Sequence, residues 1–312
     1  MSTPLPTAPG LHPGRLQALL QGVWAGPVLA MVGAVAFSGK AIIVKLAYRH
    51  DVDAVTLIML RMAVALPFFL LMVWWAGRGR PALPLRDKLA AAALGFTGYY
   101  LSSFLDFLGL QHITASLERL ILYLTPAVVL LLSWMLFGRR ASARQWAAMA
   151  LGYGGLLLVF GHELTQDGSR VALGTALVVA STLSYAGYLL YSGEVVRRIG
   201  SLRLTGWASS VACVLCLAQF ALLRPVGGLA DLAPPVVWLS LINGTLCTVL
   251  PVLLVMMAIE RIGSSRTAQY GMVGPITTIG LGVLILGEPF TAWVAAGTLC
   301  VLAGVALLAR SR

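Results

Sequence analysis

Charged residues are scarce in this 312-residue chain: they make up 11% of it, whereas 59% of the residues are hydrophobic. Soluble globular domains carry about 25% charged residues, so the composition excludes a soluble fold. The 11 acidic residues and 4 histidines form no cluster with metal-ligand spacing, and no two carboxylates are placed for paired acid–base chemistry. We therefore expect neither an enzyme nor a resident metal or cofactor.

Cysteine is also rare, and its placement excludes a disulfide framework. All 4 cysteines fall inside apolar stretches, where Cys213 and Cys216 share a helix face as small packing residues. The chain contains no GxxxxGK[ST] phosphate loop. A pump driven by nucleotide hydrolysis is therefore excluded as well.

Long apolar runs, in contrast, are abundant. Ten of them are about 20 residues long, the length that a helix needs to cross a hydrocarbon core about 30 Å thick. The first run begins after Arg15 and is followed by further runs rather than by a cleavage site, so we predict a retained span preceded by a cytoplasmic tail at 1–23. The predicted spans are 24–48, 54–76, 88–110, 114–137, 144–162, 171–193, 204–223, 236–259, 264–287 and 291–310.

The basic residues predict the orientation of these spans. A formal net charge of +11 would indicate nucleic-acid binding in a soluble protein, but here most arginines and lysines lie in short connections on one side of the membrane. By the positive-inside rule that side is cytoplasmic, and it holds both termini. We expect no nucleic-acid partner. The connections on that side carry Arg15, Arg78, Arg80, Arg86, Lys88, Arg139, Arg140, Arg144, Arg197, Arg198, Arg203, Arg261, Arg266, Arg310 and Arg312.

The chain contains an internal repeat. The apolar pattern of Tyr99–Pro126 recurs, without a gap, 149 positions later at Thr248–Pro275. Each copy holds five spans, and an odd number forces the second copy to enter the membrane from the opposite side. We predict an all-α polytopic membrane protein with ten transmembrane helices, built as two inverted five-helix repeats over 24–162 and 171–310. Such repeats are typical of secondary transporters.

Ionisable side chains within spans are costly, so they mark candidate functional positions. Lys40, Arg61 and Asp106 lie in the outer half of the predicted bundle, with Glu118 and Arg119 one turn into the fourth span. One hypothesis is that a basic residue, Lys40 or Arg61, binds a substrate carboxylate. An acid, Asp106 or Glu118, would then bind an ammonium group or carry a proton. The other hypothesis is a set of ion pairs that joins helices or forms an outer gate, for which Glu118 and Arg119 are candidates.

Aromatic and amide side chains within the spans extend this candidate site. Tyr185 and Tyr188 lie one helical turn apart on the sixth span, and a tyrosine ring with its hydroxyl suits a cavity for amphipathic solutes. Buried amides need hydrogen-bond partners, so Asn243 and Gln269 are candidates too. The alternative is ordinary helix packing and an interfacial aromatic belt. The other candidate lining residues are Tyr99, Tyr100, Tyr123 and Tyr270.

Two prolines, Pro126 and Pro275, are candidate hinges. Each removes one backbone hydrogen bond from its helix, at matching depth in the two copies. Such a proline frees carbonyls near the midplane or lets the helix flex during transport. A purely structural kink is the alternative.

A similar motif precedes both prolines. The first copy reads Gly109-Leu-Gln-His-Ile-Thr-Ala115 before its proline, and the second reads Ala258-Ile-Glu-Arg-Ile-Gly-Ser264. After the second proline come Gly287-Glu288 and Gly304. Together with the ten spans, these motifs resemble the paired EamA domains of the drug/metabolite transporter superfamily.

The resemblance covers about 24–310 and implies movement of solutes, usually export of metabolites from bacteria across the cytoplasmic (inner) membrane. It also implies a central cavity, lined chiefly by the first, third, fourth, sixth, eighth and ninth spans. Among the branches, the chain is most similar to amino acid exporters, including the aromatic amino acid exporter type. One departure is that the Gly-Glu pair occurs only in the second copy, because Gly138 is followed by Arg139.

We therefore predict an inner-membrane secondary transporter that exports neutral or aromatic amino acids, or a broader range of related small metabolites, by alternating access. The alternative is a proton-coupled multidrug or aromatic-cation efflux transporter, for which an essential acid within a span is the distinguishing feature. A lipid flippase would have few buried charges, so the charge cluster argues against it. We expect gradient-driven movement by a monomer whose partners are the small-molecule substrate and membrane lipid.

Overall fold

The computed structural model describes residues 24–138, 141–165, 168–230 and 232–310, without the side chains of 226, 260, 263–265, 268 and 269. The predicted tail at 1–23 lies outside the described residues. The described ranges are helical with short connections, and they contain no β-strand. The α-helices are α1 (Ala25–Tyr48), α2 (Ala54–Gly77), α3 (Leu85–Gly95), α4 (Ser102–Leu110), α5 (Ala115–Tyr123), α6 (Thr125–Phe137), α7 (Ala143–Leu164), α8 (Gly168–Ile199), α9 (Ser201–Leu223), α10 (Pro234–Gly244), α11 (Leu250–Tyr270), α12 (Val273–Leu281) and α13 (Ala292–Arg310).

The helices confirm a helical membrane fold, but they do not confirm all ten predicted spans. Seven helical segments are long and apolar enough to cross a membrane, and α5 with α6, bent by 40°, forms an eighth if the pair counts as one span. The predicted third span is interrupted by a π-helical segment, and the predicted ninth is reduced to the short apolar helix Val273–Leu286. The all-helical membrane architecture is therefore confirmed for the described residues, while ten spans and their inversion stay predictions.

The boundary predicted between the eighth and ninth spans, at 259–264, is wrong. The chain remains helical there, and α11 ends only at Tyr270. Tertiary packing gives a physical reason, because Ile262 lies against Gly26 at the start of α1, where any side chain on Gly26 would collide with it. In the first copy, by contrast, Thr114 caps α5 by accepting a hydrogen bond from the backbone N–H of Leu117, so the chain turns as expected.

The sequence repeat reappears in the backbone. One π-helical segment, π1 (Phe96–Leu101), separates α3 from α4, and another, π2 (Thr245–Val249), separates α10 from α11; their first residues are 149 positions apart. Each follows a glycine, Gly95 or Gly244, against which a neighbouring helix packs so closely that a Cβ would clash. A third segment, π3 (Gly282–Leu286), follows α12. Single π-helical turns are rare and are frequent at functional sites.

Small residues also join α7 to α13. A Cβ built on Gly155 would lie 2.6 Å from Cys300 Cβ and 2.7 Å from the carbonyl oxygen of Gly297. Gly304, the repeat counterpart of Gly155, lies in the same way against the carbonyl oxygen of Ala148. Helices in lipid associate by this close van der Waals packing, since lipid tails are as apolar as the helix surfaces.

We expect Gly155→Ala to lower the free energy of unfolding by about 1–3 kcal/mol, because its methyl group forces α7 and α13 apart. Gly154→Ala is the matched control, since a Cβ there meets nothing within 4 Å. Thermal unfolding of the purified protein in detergent measures both variants. Equal midpoints for the two would contradict the packing argument.

Candidate functional site

A cavity of about 420 Å³ is lined by residues from both copies of the repeat. Its volume lies within the range of small-molecule sites, about 300–1,000 Å³. The wall is mostly apolar, with charged groups set into it. The polar and aromatic lining residues are Phe37, Lys40, Arg61, Phe69, Tyr99, Ser102, Ser103, Asp106, Arg119, Tyr123, Thr125, Ser181, Tyr185, Ser209 and Thr248.

The repeat places equivalent positions of the two copies in the wall of this cavity. The segments that carry them are π1 with α4 in the first copy and π2 with α11 in the second. The chemistry differs between the copies, since the first copy supplies the more polar residues. The pairs are Tyr99 with Thr248, Ser102 with Pro251, Ser103 with Val252, and Asp106 with Val255.

Lys40 lies between two buried carboxylates. Its Nζ is 2.5 Å from Asp106 Oδ2 and 3.1 Å from Glu118 Oε1. The side chain of Glu118 is 0% exposed, and those of the other two are nearly as buried. Because the three residues come from α1, α4 and α5, the ion pairs join three helices. This is the arrangement of the ion-pair hypothesis, and it occupies Lys40 with protein carboxylates.

Arg61 is held differently, by a hydroxyl group from the second copy. Its Nε donates a hydrogen bond of 2.8 Å to Thr248 Oγ1, which in turn donates one of 2.7 Å to the carbonyl oxygen of Asn243. The guanidinium carbon lies 5.2 Å from the ring centroid of Phe107. No carboxylate of the described residues forms an ion pair with Arg61, and its buried Nη1 has no protein partner among them.

Arg119 is held in a similar way. Its Nη2 donates a hydrogen bond of 3.3 Å to Ser38 Oγ, and Ser38 is itself 2.9 Å from the carbonyl oxygen of Gly274 in the second copy. The ring of Phe37 lies 5.2 Å from the guanidinium carbon. Within the described residues Arg119 also forms no ion pair, although it follows Glu118 directly in sequence. The cavity wall therefore carries two guanidinium groups without a carboxylate partner.

The tyrosines divide into lining and supporting residues. Tyr99, Tyr123 and Tyr185 line the cavity. Tyr188 lies behind them, with its hydroxyl 3.2 Å from that of Tyr99 and its ring stacked on Tyr185 at 5.5 Å between centroids. Tyr100 does not line the cavity; its ring stacks on Phe104 at 6.4 Å. Sequence periodicity places such side chains on a helix face but does not order them in depth.

Two further candidates, Asn243 and Tyr270, are not among the residues that line the cavity. Asn243 is fully buried and contributes its backbone carbonyl to Thr248 rather than its side chain to the cavity. The ring of Tyr270 is 37% exposed, at the end of α11. The side chain of Gln269 lies outside the described residues.

Both candidate hinge prolines lie in the first turn of a helix. Pro126 follows the break at Leu124 that bends α5 against α6 by 40°, and Pro275 follows the break between α11 and α12. A proline costs no hydrogen bond in a first helical turn, where its missing N–H has no intrahelical partner. These prolines therefore stand beside breaks in the helices, and their role in motion stays a prediction.

Sequence reasoning missed the two hydroxyl residues that hold the arginines, Ser38 and Thr248. For Thr248 a signal existed, because it is the repeat counterpart of the candidate Tyr99. For Ser38 the sequence offers no such signal, since one serine in an apolar helix is common. Their roles follow from contacts across 81 and 187 positions of the chain.

Comparison with known proteins agrees with this architecture. The model of the EamA-like transporter family matches residues 24–161 and again 172–310. The protein described as uncharacterized transporter YcbK of Bacillus subtilis (strain 168) is 29% identical over 286 residues, which cover 87% of this chain and 88% of that protein. Uncharacterized transporter YetK of the same strain is 24% identical over 161 residues, covering 51% of this chain and 48% of that protein.

A solved crystal structure shares the fold. It is 17% identical, with a TM-score of 0.61, and the match covers 92% of this chain and 98% of that one. At this identity the similarity concerns the fold alone.

Because Lys40 forms ion pairs with two buried carboxylates, we expect Lys40→Met to lower the free energy of unfolding by about 3–5 kcal/mol. The matched control is Lys88→Met, which removes the same charge from an exposed position in α3. Thermal unfolding in detergent, with gel filtration to detect aggregation, gives the comparison. If Lys40→Met unfolds at the same temperature as Lys88→Met, the ion pairs do not hold the helices together.

Proposed function

This chain belongs to the EamA-like transporter family, and we propose that it exports amino acids, above all neutral and aromatic ones, or related carboxylate-bearing metabolites, by alternating access. A role as a membrane transporter follows from the family. The substrate class is inferred from the chemistry of the cavity, as are the direction of transport and its coupling to a gradient.

The observation that carries the proposal is the pair of buried arginines. Arg61 and Arg119 line the cavity, and each is only 5–7% exposed. An unpaired charge in such a place is costly, so these two positions favour a ligand that brings its own negative charge. Guanidinium groups bind carboxylates well, because their N–H donors match the spacing of the two carboxylate oxygens.

The other groups of the wall fit the rest of an amino acid. Asp106 Oδ1 has no hydrogen-bond partner among the described residues, which leaves it available to a substrate ammonium group. The rings of Tyr99, Tyr123 and Tyr185, with Phe37, supply an aromatic surface for an apolar or aromatic side chain. Acceptor and donors for the zwitterion therefore line the same cavity as an aromatic surface.

The charge of the cavity argues against the alternative, a proton-coupled efflux transporter of aromatic cations. Three of the four charged lining residues are basic: Lys40, Arg61 and Arg119. The single acid, Asp106, has one oxygen bonded to Lys40 at 2.5 Å, so it offers a cation only its other oxygen. A cationic drug would meet net repulsion there, whereas a carboxylate would not.

We further propose that the two copies form inverted five-helix repeats over 24–162 and 171–310, which move against each other as a monomer in the bacterial inner membrane with both termini cytoplasmic. The distribution of basic residues supports this orientation. The contacts of Arg61 and Ser38 with Thr248 and Gly274 cross between the copies. A substrate bound at the arginines would therefore affect the contacts that set the relative position of the two halves.

Transport by purified protein in liposomes tests the substrate class. We expect saturable flux of labelled neutral and aromatic amino acids without an imposed pH gradient, and competition by their unlabelled forms. Ethylamine-type analogues that lack the carboxylate should compete poorly, because they leave the arginines unpaired. Movement of aromatic cations alone, and only against a proton gradient, would instead favour the drug-efflux alternative.

Substitution of the proposed carboxylate receptor tests the site. Arg61→Gln should raise the KM for the amino acid about tenfold or more, since a hydrogen bond to a charged group contributes about 1.5–3 kcal/mol. Arg86→Gln, at an exposed position outside the cavity, is the control and should leave KM unchanged. An unaltered KM in Arg61→Gln, in protein that is folded, would remove Arg61 from the site.

A further inference from the structure

Glu288 lies in the connection between π3 and α13, and its carboxylate caps the first turn of α5. The backbone N–H of Ala115 donates a hydrogen bond of 2.6 Å to Oε1, and that of Ser116 donates one of 3.2 Å to Oε2. The hydroxyl of Ser116 donates a third, of 2.7 Å, to Oε2. A carboxylate is strongly favoured here, because the free N–H groups of a helix N-terminus carry partial positive charge.

Glu288 reaches this position because of the residues before it. Gly287 has φ +73°, a left-handed conformation that glycine adopts without strain, and it turns the chain back from π3. The carboxylate then lies against Gly282, where a Cβ would be 2.8 Å from Oε2. The Gly-Glu pair recognised in the sequence therefore has a definite structural task in this chain, which is to carry an acid from the second copy to a helix of the first.

Further hydrogen bonds tie the same end of the bundle together, the end that the sequence predicts to face outside. Lys45 of α1 donates to the carbonyl oxygen of Ile113 at 2.7 Å, and Arg49 donates to that of Leu286 at 2.9 Å. Thr114 donates a hydrogen bond of 2.6 Å to Glu163 Oε1 of α7. Arg49 and Glu288 both join the two copies by a charged side chain, and Glu288 is the acid of the pair.

The capped helix also forms part of the cavity wall, through Arg119 and Tyr123. Glu118 and Arg119 lie on α5 within one turn of Ser116, and they meet Lys40 and Ser38 of α1 at the wall. Asp106, which also pairs with Lys40, lies four residues before Leu110 at the end of α4. At a rise of 1.5 Å per residue, this is about 6 Å along the helix axis. A movement of the α5 N-terminus away from Glu288 would therefore carry two charged residues away from α1.

The repeat encodes this carboxylate cap in one copy only. The position equivalent to Glu288 in the first copy, 149 residues earlier, is Arg139. A guanidinium group has donors but no acceptor, so it cannot cap a helix N-terminus. The sequence thus encodes the carboxylate cap at one end of the bundle and an opposite charge at the corresponding position of the other copy.

We propose that Glu288 is the gating residue that keeps the cavity closed at the outer end, and that the outward opening step of transport requires its carboxylate to leave the N-terminus of α5. A cavity of about 230 Å³ borders Glu288 and Thr114 at this end, so the carboxylate has space to move. The proposal goes beyond the proposed function, because it does not depend on which solute is carried.

Distances across this end of the bundle test the proposal directly. Spin labels on Gln111→Cys and Phe290→Cys, both at exposed positions, flank the cap, in a background where the half-buried Cys300 is replaced by serine and the other cysteines remain buried. Pulsed electron paramagnetic resonance in nanodiscs then gives the distance distribution. We expect one short population with Glu288 present and a shift to longer distances in Glu288→Ala.

The matched control is Glu194→Ala. It removes the same charge from an exposed acid in α8, a different helix, and should leave the distance distribution unchanged. If Glu288→Ala does not fold, Glu288→Gln and Ser116→Ala decide: each removes part of the cap and should add a longer-distance population. Distributions identical to that of the unsubstituted protein, in folded variants, would overturn the proposal. Because no substrate is added, this result is independent of the flux measurements.

Discussion

A charge inside a membrane protein needs a partner, because neither hydrocarbon nor packed side chains replace its hydration. This constraint organises the cavity. Lys40 meets it through Asp106 and Glu118, and in doing so joins three helices. Arg61 and Arg119 meet it only in part, through one hydroxyl each. The remaining capacity of these two guanidinium groups is what makes the cavity suitable for a carboxylate.

Duplication has repeated the backbone more faithfully than the chemistry. π1 and π2 begin at equivalent positions and place equivalent residues at the cavity. The charged lining residues nevertheless all come from the first copy. The second copy supplies the Thr248 hydroxyl that accepts from Arg61 and the Gly274 carbonyl that accepts from Ser38, the partner of Arg119. Relative movement of the copies must therefore change the surroundings of the arginines, which links substrate binding to the motion expected of a transporter. The Glu288 cap adds a second contact between the copies, at the N-terminus of α5.

The limits of the sequence show in particular residues. Its apolar runs predicted most helices to within a few positions, and its motifs identified the EamA-like family correctly. It failed where a distant contact decides a boundary, as for Ile262 on Gly26, which extends α11 to Tyr270. For Tyr100 and Tyr188 a role in substrate binding stays a prediction. The structure places neither among the lining residues, and a helical period does not distinguish a cavity wall from the layer behind it.

The sequence by itself determined the membrane environment, the helices, the internal repeat and the set of ionisable residues that the spans contain, because each of these depends on composition or on spacing along the chain. Only the tertiary structure decided which charges pair. Lys40 and Asp106 are 66 positions apart, and Ser38 and Gly274 are 236 apart. Such contacts depend on how the helices pack. Glu118 and Arg119 are adjacent on one helix, yet packing gives Glu118 an ion pair with Lys40 and leaves Arg119 with a serine hydroxyl as its partner.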